Sequence, residues 1–471
     1  MNTSILQIAI ELANKICLRA EEGETRDLDI MAEEILNDCK GSTREILQVI
    51  IQYMGRELRE DKKGRKELGL VIKEKDRPRR LLTALGQIDF TRDYYFDKKE
   101  GRHTAVLDQM LGIAKYERVG AAVGAALVSE ATEVSYSKAS DIVIGGEVSR
   151  QTVHNQILKM ETPEIEAGGE KRTATELHIH ADEDHVHMQR PGKEKGKQSR
   201  IVPLVTVTEG TEEESKGRNR TLRPVHFSDE SLDTRNLWKS VEGFIDKGYE
   251  LEKIERICIH GDGGQWIRNG LKDLAQTVHV MDGFHFYKEL RKISKLLPNR
   301  HVRVALTNAL EKGDRRRADE YIQDLLEEEL TEKETERIRK FAVYLLRNWD
   351  EIRRRLIEDS MPGSCTEGLV GHVLSERFSR DPLGWGERAL GKLVMARIYR
   401  KNGGKLTKGH FRKNGEAKER YSEYAERVME EHIKGAVDFS IFEPEMPVFD
   451  GASGTQILLH EIGMTRDTLI H

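Results

Sequence analysis

Ile257-Cys258-Ile259-His260-Gly261-Asp262-Gly263-Gly264-Gln265-Trp266-Ile267 is the stretch on which the fold turns. A short run rich in β-branched residues ends on an acid, two glycines follow, and a new amphipathic turn begins; this is how a buried strand hands over to a helix. The same pattern stands upstream in Leu177-His178-Ile179-His180-Ala181-Asp182. The two acids are 262 − 182 = 80 residues apart, room for two further strands and a helix. Strands are expected at 175–182, 200–208 and 221–227. A helix over 234–247 carries Leu237, Val241, Phe244 and Ile245 on one face. Strand 256–262, helix 265–275, strand 277–281 and helix 284–297 complete the alternation. A third acid, Glu367, opens the run Glu367-Gly368-Leu369-Val370-Gly371-His372-Val373-Leu374, another 367 − 262 = 105 residues on.

Three consecutive strands followed by alternating helix and strand is the order of an α/β, ribonuclease-H-like mixed sheet. The opening three-strand meander and the lack of a GxGxxG segment argue against a dinucleotide-binding fold. Working outward, residues 171–297 are expected to form this core and 361–395 to complete it with the helix of Glu367. Between them, 298–360 is densely charged and helical in period (Asp314-Arg315-Arg316-Arg317, Glu327-Glu328-Glu329) and reads as an all-α insertion. Residues 396–471 read as a basic C-terminal segment and tail.

Upstream, 1–80 reads as helical, with Ile5, Ile8, Leu12 and Ile16 and then Leu47, Ile50, Ile51 and Met54 at helical spacing. Residues 81–118 hold a hairpin signal: Ile88, Phe90, Arg92 and Tyr94 alternate, and Asp97-Lys98-Lys99-Glu100-Gly101 supplies a turn before 104–107. Residues 119–170 change to three short helices. Gly145-Gly146 makes a turn open to positive φ, and Ser149 caps a helix with Val153 and Ile157 inward. Its outward residues Arg150, Gln151, His154 and Asn155 suit phosphates and base edges in a major groove, the pattern of a helix-turn-helix DNA-binding element.

Composition excludes some classes. The 471 residues are 34% charged, with net charge −5, and no apolar run is long enough for a bilayer. Met1-Asn2-Thr3 leads into an amphipathic helix with no basic region before it, so no secretory leader is expected here. Four cysteines (Cys17, Cys39, Cys258, Cys365) show no CxxC spacing, which fits a reducing cytoplasm and argues against a zinc ribbon. Basic clusters at 62–80, 190–200 and 397–420 on an acidic chain mark candidate phosphate-binding surfaces.

Asp182, Asp262 and Glu367, gathered in that topological order, would hold two Mg²⁺ ions, with Mn²⁺ as a substitute, for phosphodiester chemistry. Glu183 and Asp184 compete with Asp182, and Glu376 and Glu387 with Glu367. His285, in Asp282-Gly283-Phe284-His285, could face a scissile phosphate, support Asp262 or merely cap a helix. Trp266 and Trp385 could stack on an unpaired base, although burial is the commoner fate of tryptophan. The run His178, His180, His185 and His187 invites a zinc reading. It lacks a cysteine or further histidine at usual spacing, so histidines flanking an acidic site are expected instead.

These motifs together resemble the ISLre-type bacterial insertion-sequence transposases, within the broader Mutator-like group. The resemblance rests on Ser149-Arg150-Gln151-Thr152-Val153, Ala181-Asp182-Glu183-Asp184, Gly261 to Ile267, Asp282-Gly283-Phe284-His285, and Cys365-Thr366-Glu367-Gly368 running to Ser375-Glu376-Arg377 and Gly384-Trp385. It implies a DDE transposase with Asp182, Asp262 and Glu367 as triad and metal ligands, and Asp282-x-x-His285 as the signature after the second acid. It further implies binding of double-stranded DNA at terminal inverted repeats, cleavage, and joining of the freed ends to target DNA. A homo-oligomer on DNA, in the bacterial cytoplasm and at the nucleoid, would follow. Arg377 and the basic residues from Arg397 to Arg412 would contact phosphates. The rivals are a nuclease without strand transfer, a non-catalytic DNA-binding regulator and, least favoured, a zinc hydrolase built on the histidines.

Overall fold

A computed structural model describes residues 1–22, 27–189, 199–215, 218–272, 274, 276–358, 365–381, 383–411, and Tyr421, Tyr424 and Arg427. It divides into two compact units, residues 1–120 with 414–471, and residues 121–413.

In the first unit, helices α1 (Asn2–Glu22), α2 (Leu28–Glu60) and α3 (Lys62–Leu68) precede a sheet of β1 (Leu70–Thr83), β2 (Gly86–Asp97) and β3 (Arg102–Thr104), followed by α4 (Val106–Met110). Asp27 caps α2 by accepting from Asp29 N and Ile30 N. The hairpin of β2 and β3 turns where the sequence places it. The expected all-helical stretch to residue 80 does not hold: Leu70–Thr83 is a strand, paired from Leu70 with Asp97 to Thr83 with Gly86. Its middle is charged and exposed, so no apolar alternation marks it, and pairing with β2 sets its conformation.

The second unit opens with α5 (Ala121–Ala131), α6 (Tyr136–Ile144) and α7 (Arg150–Lys159). Gly145 and Gly146 take φ of +63° and +83°, and Ser149 caps α7 through Thr152 N. Val153 and Ile157 are fully buried.

The central sheet comprises β4 (Glu176–His187), β5 (Ser199–Thr208), β8 (Val225–Phe227), β9 (Arg256–Gly261) and β10 (Thr277–Met281), in the order β10-β9-β4-β5-β8. Neighbours β4, β5 and β8 are antiparallel, whereas β4, β9 and β10 run parallel. A separate hairpin, β6 (Thr211–Ser215) and β7 (Arg218–Thr221), takes part of the expected third strand. Arg223 at φ +46° and Pro224, which offers no N–H, break that run. Helix α8 (Thr234–Gly248) lies on one face. There Leu177, Ile179, Ala181, Val205, Val207, Ile257 and Ile259 pack against Leu237, Val241, Phe244 and Ile245, full burial of each Leu, Ile, Val or Phe being worth roughly 1.5–3 kcal/mol. The expected helix 265–275 shrinks to α9 (Gln265–Arg268). Leu271 at φ +49° helps end it, and a side chain at Gly270 would strike the Trp238 ring.

Helix α10 (Gly283–Leu296) leads into the insertion, α11 (Val302–Lys312), α12 (Arg315–Leu326), α13 (Glu332–Arg347) and α14 (Trp349–Ile357). These share a core with Phe286, Leu290 and Ile293. The chain then returns as α15 (Thr366–Val370), a π-helical turn at Gly371–Ser375, α16 (Glu376–Phe378) and α17 (Glu387–Lys401). Helix α17 runs across residue 395, so no structural break separates a basic tail there. No described helix is long and apolar enough to cross a membrane.

Candidate functional site

On β4 the even residues Glu176, His178, His180, Asp182 and Asp184 face away from the α8 core, because side chains alternate along a strand. Asp182 does not end its strand. Pairing with β5 continues from Asp182 with Leu204 to His187 with Ser199, whereas pairing with β9 stops at His180 with His260. Asp182 therefore lies where β9 departs, and Asp262 follows β9 directly. Asp282 follows the next parallel strand, with its N–H donating to Gly261 O at 2.8 Å. Three aspartates thus stand where the two adjoining parallel pairings of β4, β9 and β10 end, a sheet edge where open α/β sheets place ligands.

Each acid is held. Asp182 accepts from Glu183 N at 2.8 Å, and Asp262 from Gly264 N at 2.8 Å. Gly263 takes φ +83°, and a Cβ there would lie 2.7 Å from Asn348 Oδ1, so only glycine lets the loop turn this close. Arg268 donates to Gly263 O at 3.0 Å and pairs with Glu351 at 2.7 Å; the insertion thereby braces the Asp262 loop. Asp282 caps α10 by accepting from Phe284 N.

Glu367 sits in the first turn of α15, whose start is docked on β4: Thr366 Oγ1 lies 3.3 Å from His180 Nδ1, and Cys365 Sγ 3.3 Å from His180 Nε2. Its carboxylate is 3.8 Å from His285 Nε2. One ligand atom each from Asp182, His285 and Glu367 lie within 4.8 Å of one another. Beside Glu367 opens a cleft of about 610 Å³ lined by Gly283, Phe284, Tyr287, Lys288, Arg291 and Arg355. These cations and rings were not singled out from the sequence. Phe284, Tyr287, Lys288 and Arg291 follow i, i+3, i+4, i+7 spacing on α10, the available signal that they share a face.

The competing acids fall elsewhere. Glu183 accepts from Trp266 Nε1 at 2.6 Å. Asp184 is buried and bonded to Ser375 and Ser379. Glu376 pairs with His372 at 2.9 Å, and Glu387 with Arg200 at 3.1 Å. Trp266 and Trp385 are spent on internal contacts: Trp385 is buried and donates to Phe378 O at 2.9 Å. Of the histidine run, His185 and His187 are exposed, while His178 and His180 stack with His260 at 5.3 and 4.8 Å. Burial holds all three well toward the neutral form.

Two expected phosphate contacts are overturned. Arg377 is 5% exposed and Arg397 1%. Arg377 donates to Ala131 O at 2.9 Å, and Arg397 to Thr132 O at 2.8 Å and to Glu133 at 2.6 Å. They cap the carbonyl end of α5, where cations complement unpaired C=O groups and the helix dipole. Arg412 and most of the cluster 190–200 lie outside the described residues. On α7, Arg150, Gln151 and Asn155 are exposed and His154 is half-buried; Gln151 donates to Asn155 at 3.0 Å and lies 3.2 Å from His154 Nδ1.

Burial raises the Asp182 carboxyl to about 6, with a smaller push from Asp262 and Glu367 and opposition from Glu183 N–H and His285. A carboxyl raised on folding contributes stability below its unfolded value, near 4, and loses it as pH climbs to about 6. In chelator at pH 7, Asp182→Asn should therefore be more stable than wild type, by up to about 3 kcal/mol. The gain should fade toward pH 4. Denaturant midpoints across that range check this, and a variant no more stable at pH 7 contradicts it.

Residues 23–415 match UPF0236, described as an uncharacterised protein family, and the chain belongs to that family. A UPF0236 protein of Caldanaerobacter subterraneus subsp. tengcongensis is 33% identical over 395 residues, covering 84% of this chain and 81% of the relative. A second from that organism is 34% identical over 364 residues, covering 77% and 75%. The name of the first joins eleven numbered designations, and that of the second four. Among solved structures, the Drosophila P element transposase strand transfer complex aligns with 70% of this chain and 88% of that chain, at 13% identity and TM-score 0.20. At that score the likeness carries nothing about this chain.

Proposed function

We propose that this member of UPF0236 is a metal-dependent DNA transposase with a ribonuclease-H-like core, whose acids Asp182, Asp262 and Glu367 hold the divalent ions. The observation that carries the reading is the meeting of Asp182, His285 and Glu367 within 4.8 Å, beside Asp262 at the end of the adjoining parallel strand. A mixed five-stranded sheet with an antiparallel meander followed by parallel strands supports the ribonuclease-H-like reading. The helix-turn-helix supplies a DNA-binding surface in the same unit. A relative's name that joins eleven designations is what a gene present in many copies would give, and an element that copies itself produces such genes.

The donors fit the ions. Hard carboxylate oxygens suit Mg²⁺ or Mn²⁺, for which the His285 imidazole is the poorer partner. Burial chiefly raises the Asp182 carboxyl, and Asp262 and Glu367 add a smaller push; a bound dication would relieve both. When bound, two such ions activate the attacking oxygen and neutralise charge on the leaving one. The chain's own residues do the rest. His285, 3.8 Å from Glu367, can donate to a phosphate oxygen. Lys288, Arg291 and Arg355 give the cleft the charge to hold a strand's backbone, and Phe284, 43% exposed, offers a ring to a base. Synapsis of two DNA ends would require at least a dimer on DNA.

The test incubates the full chain with labelled duplex made from the DNA flanking its gene, with Mg²⁺ or Mn²⁺, beside a Glu367→Gln control. Joined products that vanish in the control are expected. Cleavage without joining in wild type would favour a nuclease, and specific binding without chemistry a regulator. On α7, Asn155→Ala should weaken binding to that duplex by about 1–3 kcal/mol while changing binding to unrelated duplex little. Equal loss on both would assign Asn155 to the backbone.

A further inference from the structure

Beyond the carboxylate centre lies a second cluster on the same face of the sheet. Parallel pairing sets Glu176 beside Arg256, His178 beside Cys258 and His180 beside His260. Among the described residues, Glu176, His178 and Cys258 form one of two groups whose ligand atoms all lie within 4.8 Å of one another. Their chemistry differs from that of the acidic group, with a sulfur, a nitrogen and one oxygen. Cys258 Sγ is 3.2 Å from Glu176 Oε1, and His178 Nε2 is 3.9 Å from the same atom. Bonds of about 2.0–2.3 Å around a tetrahedral zinc set neighbouring ligand atoms roughly 3.2–3.8 Å apart, so these separations need little adjustment.

The surroundings are those of a metal's ligands. His178 presents Nε2 to the cluster and shares its other nitrogen, Nδ1, with His260 Nε2 at 3.0 Å. Metal-bound histidines characteristically donate this second N–H to a fixed partner, which sets the tautomer. Glu176 is steadied by Arg256 at 2.7 Å, and Arg256 in turn by Glu358 at 2.7 Å. Charge closes as well: a thiolate and a carboxylate balance a dication, while Arg256 balances Glu358. Cys258 is fully buried, whereas the Glu176 side chain is 29% exposed, leaving a path for the ion and for a water in the fourth position.

We propose that Glu176, His178 and Cys258 bind one zinc ion, which fastens β4 to β9 at the His178–Cys258 pair, four residues before Asp182 and Asp262 in the chain. On binding, Cys258 Sγ releases its proton to solvent and forms the Zn–S bond; no redox change is involved. The role is positioning, since the ion would lock the register that sets the two aspartates side by side.

The experiment measures metal in full-length protein purified without chelators, then after exchange with Co²⁺. The expected result is about one zinc per chain and, in the cobalt form, a thiolate-to-metal charge-transfer band. Both should be lost in Cys258→Ser and kept in Cys365→Ser. Should Cys258→Ser fold poorly, His178→Gln supplies the same comparison with the thiol retained. Protein that takes up no stoichiometric zinc, or variants that keep the metal and the band, would overturn the proposal. Because metal content is read without DNA, the outcome does not depend on whether the protein transposes.

Discussion

Asp262→Asn is expected to abolish joining of DNA ends, by roughly a thousandfold or more, which is about 4 kcal/mol of transition-state stabilisation. The argument rests on how little else the change disturbs. Asn keeps the oxygen that accepts from Gly264 N at 2.8 Å, so the loop held by Gly263 and Asn348 should survive. What disappears is the negative charge that a dication needs at the end of β9. Strand-transfer yield in Mg²⁺ should fall to background while the denaturant midpoint stays near wild type. Joining within about tenfold of wild type would remove Asp262 from the metal site, and with it the proposed chemistry. A large fall in stability would instead mean that Asp262 acts chiefly as a turn residue.

The second large effect concerns Arg397. Replacing it with Met should cost about 3–5 kcal/mol of stability. The guanidinium is 1% exposed and donates to Thr132 O at 2.8 Å, His372 O at 2.9 Å and Glu133 at 2.6 Å. A methionine stem fills similar volume but leaves those buried carbonyls unpaired, each a penalty of about 1–3 kcal/mol. It also loosens the π-helical turn after Glu367 from the end of α5. Chemical denaturation reads the loss directly. Were Arg397 a phosphate contact, the variant would fold normally and the salt dependence of DNA binding would fall by about one unit of slope.

Much of the central sheet was legible because its strands carry their own signal. Leu177, Ile179 and Ala181 alternate with polar residues, and Leu237, Val241, Phe244 and Ile245 repeat at helical spacing; both patterns are local. The three short helices α5, α6 and α7 were readable for the same reason, with Gly145, Gly146 and Ser149 as punctuation. Strand β1 was not, because its charged, exposed middle follows neither period and is a strand through its pairing with β2. The helix expected over 265–275 stopped early where Gly270 meets Trp238, a contact between residues far apart in the chain.

The same division holds for the candidate site. The residue types, their order and the strand-end setting of Asp262 are properties of the chain, and they narrow the acids to a few. Which acids converge was decided by register and docking: pairing of β4 with β9 stops at His180, and α15 is seated on His180 through Thr366. Those events leave Glu367 beside His285 and send Glu376 to His372. They also bury Arg377 and Arg397, which were expected to contact phosphates, and bring Cys258 to His178 across 258 − 178 = 80 residues. Periodicity and turn chemistry act between near neighbours and are written into any short stretch. Meetings across such separations exist only once the sheet has chosen its register, and hydrophobic packing around Ile179 and Ile259 makes that choice.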